Sequence, residues 1–70
     1  MKLSYEVGDT VERRNGTHTQ GGFSIRQGQT GIVTYIDDDS ATVQLDTGQL
    51  VRGNSLNNLV LSKKKQTEWD

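Results

Sequence analysis

Apolar residues in this chain fall in short runs divided by polar, glycine-containing breaks, and no stretch sustains a helical period. The clearest run is Ala41-Thr42-Val43-Gln44-Leu45-Asp46. It alternates strictly and predicts a strand with Ala41, Val43 and Leu45 turned to a core and Thr42, Gln44 and Asp46 turned to water. Before it, Gly28-Gln29-Thr30-Gly31 leads into Ile32-Val33-Thr34-Tyr35-Ile36, all strand-forming types. The glycines suit a sharp reversal or a close backbone approach. This second run is apolar on both faces, with Val33 and Tyr35 on one side and Ile32 and Ile36 on the other. That pattern predicts a strongly bent central strand over 30–36 rather than a half-buried one.

Turn chemistry divides the remainder. Gly8-Asp9 opens a first strand over 7–14, with Val7 and Val11 inward and Glu12 and Arg14 outward. Asn15-Gly16 is a strong turn signal and starts a long polar segment, 15–29, containing Gly16, Gly21, Gly22 and Gly28. Phe23 and Ile25 are its large apolar residues, and 23–26 reads as the returning arm of an irregular hairpin. Asp37-Asp38-Asp39-Ser40 is a turn, as is Thr47-Gly48. Gln49 to Arg52 is a short strand stopped at Gly53-Asn54. Ser55-Leu56-Asn57-Asn58 reads as one 3-10 turn capped by Ser55, and Leu59-Val60-Leu61 as a closing strand. The domain is placed at 1–61, followed by a polar tail at 62–70 expected to fray. Five short strands with turn signals about every eight to twelve residues predict an all-β fold, a small five-stranded barrel with a long first hairpin loop. An OB-fold is the runner-up, but it calls for more residues and a helix between its third and fourth strands, and no segment supplies that helix.

Seventy residues allow a single domain with a small core. The absence of cysteine removes disulfides and thiolate metal sites as supplements to that core. The net charge is −1. Before residue 62, five basic residues face seven acids, so the body is mildly acidic. A dedicated nucleic-acid binder ordinarily carries a basic stripe. No apolar leader or membrane-length run occurs, and a soluble cytoplasmic protein is the expectation.

The order of these signals resembles the SH3-like barrel superfamily, on its KOW and Tudor-like side. The resemblance is carried by Val7-Gly8-Asp9-Thr10-Val11, by Gly28-x-x-Gly31-x-Val33, by the Asp37–Ser40 turn, and by Val43-x-Leu45-Asp46-x-Gly48 followed by Leu56-x-x-Leu59. It spans roughly residues 5 to 61 and implies a non-catalytic interaction domain. Small proteins of this look are frequent in phages and bacterial mobile elements. The Tyr-rich stretch and paired Trp of proline-peptide-binding SH3 domains have no counterpart here. For an aromatic cage the chain offers only Tyr5, Phe23, Tyr35 and Trp69, which are dispersed.

Candidate chemistry is sparse. His18 is the sole histidine, in a polar segment without the further ligands a metal site needs. Asp37-Asp38-Asp39 lacks the alternate spacing, glycine and distal Glu of a calcium loop, and reads as a solvated turn. Arg13, Arg14, Arg26 and Arg52 form the notable set. With Phe23 they suit a patch facing acids of a partner protein, or bases and phosphates. The plainer reading is four separate arginines paired with Glu12 and Asp46. Lys63-Lys64-Lys65 is followed at once by Glu68 and Asp70 and reads as a solvated tail. No acid, base and nucleophile combine into a catalytic pattern, so no enzyme, cofactor or metal is expected. The expected function is a protein-interaction module, an accessory, inhibitor or adaptor subunit. It docks through 15–29, with Arg13, Arg14, His18, Phe23, Arg26 and Arg52 facing the partner. A KOW-like RNA- or DNA-binding domain is the alternative.

Overall fold

Seven strands and one 3-10 turn account for the fold in a computed structural model that describes residues 5–64. They run β1 (Thr10–Arg13), β2 (Thr17–Gln20), β3 (Phe23–Arg26), β4 (Thr30–Asp37), β5 (Ser40–Gln44), β6 (Leu50–Ser55), η1 (Leu56–Asn58) and β7 (Leu59–Lys63). The chain is all-β. Five strands form one antiparallel sheet in the order β6-β5-β4-β1-β7, and β2 and β3 form a separate two-stranded hairpin.

Ala41, Val43 and Leu45 are buried as the alternation predicts, and the strand ends at Gln44. Thr42 is covered too, at 9% exposed, because β5 lies between β4 and β6 and their side chains close over it. Val11, Ile25, Val33, Val51 and Leu59 complete the core, with Tyr5, Ile36 and Leu56 packed at its margin. Two strands depart from strict alternation, each through an irregular register. On β4, Val33 pairs with Val43 and Tyr35 with Thr42, so Thr34 is an extra residue in the ladder. This bulge turns Tyr35 outward, 60% exposed, and returns Ile36 to the core side. The expectation that Val33 and Tyr35 share a face is corrected accordingly. On β6, Val51 pairs with Val43 and Asn54 with Ala41, so Arg52 and Gly53 together oppose Thr42. Gly53 takes φ 74°, and the strand continues to Ser55 instead of stopping at Gly53-Asn54. Buried Asn54 donates its amide to Val51 O (2.8 Å) and Ala41 O (3.3 Å).

The first strand is shorter than its sequence suggests, and Val7 is 53% exposed rather than inward. Residues 6–9 form a tight turn. Asp9 N donates to Glu6 O (3.0 Å), and Glu6 N donates to Asp9 Oδ2 (2.9 Å). Lys64 Nζ lies 3.4 Å from the same carboxylate oxygen. With Asp9 anchoring the turn, Val7 has no route inward. At the other end, Ser55 caps η1 by accepting from Asn57 N (3.3 Å). β7 runs to Lys63, two residues past the run expected at 59–61, and residues 65–70 of the tail lie outside the described residues.

The two glycines before the β4 run act differently. Gly28 takes φ 87° in the turn, where its N–H donates to Arg13 O (3.0 Å). Gly31 lies within β4 and faces β5. A Cβ there would overlap Val43 Cγ1 and come to 2.8 Å from Gln44 O. Gly31→Ala therefore forces backbone apart. A loss of about 2–3 kcal/mol is expected from overpacking, read as a lower urea midpoint with unchanged slope.

Tyr5 ties the start of the described chain to the last strand, donating its hydroxyl to Leu59 O (2.7 Å). Burial raises the Tyr5 phenol above its ordinary value, and the nearby Arg14 charge offsets this in part. The folded pKa is thus above the unfolded one. The stability this contributes is full below about pH 10 and is lost as pH rises through the folded value. Unfolding followed by denaturant on either side of that pH should show the decline, and Tyr5→Phe should flatten it.

Candidate functional site

The hairpin is the first surface to consider. β2 pairs with β3 from Thr17–Arg26 to Gln20–Phe23, and Gly21 and Gly22 form the tip with φ 64° and 85°. Two successive positive φ values are what a two-residue hairpin turn demands, and glycine meets that demand without a Cβ penalty. The segment is a regular hairpin, not the irregular one its polarity suggests. Thr17–Gln20, polar throughout, forms its outgoing strand. Thr19 and Ser24 join across it through their hydroxyls (2.8 Å).

One apolar side chain roots the hairpin: Ile25 is fully buried in the core. His18 adds a polar clasp, its Nε2 lying 2.7 Å from Arg52 O on β6. Arg52 N in turn donates to Gln20 Oε1 (3.4 Å). Both main-chain groups of Arg52 are thus met by β2 side chains. β6 is an edge strand of the large sheet, and such capping blunts an edge against unwanted strand addition.

The predicted site residues divide between several places. Arg13 is only 7% exposed and turned back on the Asn15-Gly16 turn, with Nε donating to Asn15 O (3.0 Å). It is therefore a structural side chain and not part of an open surface. Arg14 is exposed but reaches η1, donating to Asn57 O (3.1 Å). His18 is committed to β6, as described. Phe23 is 39% exposed beside the hairpin tip. Arg26 is exposed at the hairpin base and lines a shallow polar concavity with Ser24, Gln27, Gly28 and Gln29. Arg52 is exposed on β6 and lines a different cleft. The four arginines do not converge. None forms an ion pair with Glu12 or Asp46 among the described residues.

The cleft that contains Arg52 escaped the sequence reading. It holds about 480 Å³ on the outer face of β4, β5 and β6. Tyr35, Leu50, Arg52, Thr34, Thr42 and Gly53 are among the residues that line it. The bulge at Thr34 creates it by sending Tyr35 out. The available signal was the surplus of apolar residues on both faces of 30–36. A surplus on a strand that borders a small core predicts one apolar side chain too many for that core. Asp37 lies at one end of the cleft. Among the described residues no group of three His, Cys, Asp or Glu side chains is placed to hold a metal, and no helix is long and apolar enough to cross a membrane.

Truncating the hairpin's root should separate its two attachments. Ile25→Ala is expected to cost about 2–5 kcal/mol, from lost burial and the cavity left behind. His18→Ala is expected to cost about 1 kcal/mol. In hydrogen exchange, His18→Ala should speed the amides of β2 and leave those of β4 unchanged.

Neither a family model, nor a curated protein, nor a solved structure matches this chain.

Proposed function

We propose that the chain is a non-catalytic protein-interaction module of SH3-like type, acting in the cytoplasm as an accessory, inhibitor or adaptor subunit and docking through the β2–β3 hairpin. The observation that carries this reading is the mounting of the hairpin. A single buried residue and a polar clasp fix a two-stranded arm. Its other side chains, Thr17, Thr19, Gln20, Phe23 and Arg26, remain exposed. Phe23 near the tip and Arg26 at the base are the residue types that dominate protein interfaces, and a preorganised support lowers the entropy cost of binding. The polar concavity beside Arg26 extends the same surface.

The SH3-like reading is supported by the sheet order β6-β5-β4-β1-β7, by a hairpin inserted after the first strand, and by a 3-10 turn just before the last. Nucleic-acid binding receives less support. Arg13 is withdrawn from the surface, the other arginines lie apart, and Asp37, Asp38 and Asp39 add a local negative field.

The test is a pull-down with the tagged protein from lysate of its host, nuclease-treated before elution. A stoichiometric protein band is expected, and Phe23→Ala with Arg26→Ala should weaken its capture roughly tenfold or more while the circular dichroism spectrum is kept. Recovery lost on nuclease treatment, or a band indifferent to both changes, overturns the reading.

A further inference from the structure

Outside the hairpin, the β4–β5–β6 face presents its side chains in level rows. Register places Ile32, Gln44 and Leu50 in one row; beyond it Tyr35 pairs with Thr42, opposite which Arg52 and Gly53 form the irregularity of β6. Ile32 is 47% exposed, Leu50 is 42% exposed, and Tyr35 projects farther still. The Arg52 guanidinium makes no hydrogen bond or ion pair among the described residues. An aromatic ring, two aliphatic side chains and an uncommitted guanidinium therefore share one sheet face. The exposed Gln44 stands between Ile32 and Leu50, and Thr42 between Tyr35 and Arg52, so the face is of mixed character with its apolar side chains on the two flanking strands.

The arrangement is self-complementary. β4 and β6 flank β5 symmetrically in the sheet. A two-fold axis laid along β5 places β4 of one copy over β6 of the other and keeps each row level. Ile32 then meets Leu50 of the second copy, and the Tyr35 ring meets the second copy's Arg52 guanidinium. Both contacts occur twice, as an isologous interface requires. A guanidinium over a tyrosine face is an attractive cation–π pair. The cleft of about 480 Å³, lined in part by the small residues Thr34, Thr42 and Gly53, leaves room for the incoming ring. An axis across the strands at the level of Tyr35 and Arg52 would instead set Arg52 over Arg52 and the Ile32–Leu50 row over the end that carries Asp37. That alternative is electrostatically and hydrophobically mismatched.

We infer that the outer face of β4, β5 and β6 is a homodimer interface, in which Tyr35 of each copy packs on Arg52 of the other beside an Ile32–Leu50 contact. The occupant of the cleft is a second copy of this chain. The hairpin borders this surface at Arg52 and Gly53, through Gln20 and His18, but supplies no residue of the cleft lining. The arrangement brings both Asp37–Asp39 turns to the same end, a repulsion that salt screens.

The mass of the full chain in solution tests this, by light scattering coupled to size exclusion from low micromolar to millimolar protein at physiological salt. The expected result is a concentration-dependent rise to twice the 7.8 kDa chain mass. Tyr35→Arg opposes two guanidinium groups, and Arg52→Glu sets a carboxylate over the ring face. Each variant alone should weaken dimerisation roughly tenfold or more. Mixed in equal amounts they should dimerise again. The introduced guanidinium then faces the introduced carboxylate on one side, and the native ring faces the native arginine on the other. A monomer at every concentration overturns the inference, leaving the cleft to a different partner. A dimer that survives both single changes overturns it too, because the copies then meet through another face.

Discussion

β4 has to serve two neighbours at once. Its first residues pair with β1 through Thr10–Ile32, Val11–Gly31 and Glu12–Thr30, while Ile32 onward pairs with β5. Where the two ladders overlap, the backbone passes so close to Val43 and Gln44 that no side chain fits at position 31. Glycine there permits the close approach of β4 to β5, and the bulge at Thr34 adds local twist. Without that close passage, β1 and β7 would not be held on the same sheet as β5 and β6. The outward turn of Tyr35 is a direct consequence of the same geometry.

A chain of this length buries little surface, so each attachment matters more than it would in a larger domain. Among the described residues eight buried apolar side chains make up the core, and the hairpin contributes one of them, Ile25. The arm is held by that residue and by side-chain hydrogen bonds to the main chain of Arg52. The arm spends few of its own side chains on the core, and Thr17, Thr19, Gln20, Phe23 and Arg26 are exposed on it.

Two surfaces of different chemistry result. The hairpin is polar, with one aromatic near its tip. The β4–β5–β6 face combines Ile32, Tyr35 and Leu50 with polar Gln44 and the Arg52 guanidinium. The two surfaces meet at β6, since Arg52 offers its main chain to the hairpin and lines the cleft. An adaptor that pairs with itself on one face and with a partner through the arm would present two copies of the arm at once, gaining avidity with no new contact.

Much of the fold was legible in sequence. The alternation at 41–45 located the strand and its inward residues Ala41 and Val43 because side chains on a strand alternate between faces, while the cover over Thr42 comes from the neighbouring strands. Ser55 announced its 3-10 turn because a hydroxyl can accept an otherwise orphaned N–H. The features that period and propensity did not reveal are tertiary. Thr17–Gln20 is a strand because Phe23–Arg26 pairs with it across two glycines, not because threonine, histidine and glutamine seek a core. Arg13 is buried because its backbone position faces inward opposite Leu59, and its guanidinium finds the Asn15 carbonyl there. Val7 is exposed because the Asp9 turn leaves it no route inward. Tyr35 faces water because a bulge inserts one residue, and one residue reverses every later side chain on a strand. By itself the sequence determined the strand-forming runs, the turns and the small core, since these follow from local chemistry. The tertiary structure alone decided which arginines reach the surface, and that Tyr35, Leu50 and Arg52 meet in one cleft, because both depend on register between strands distant in the chain.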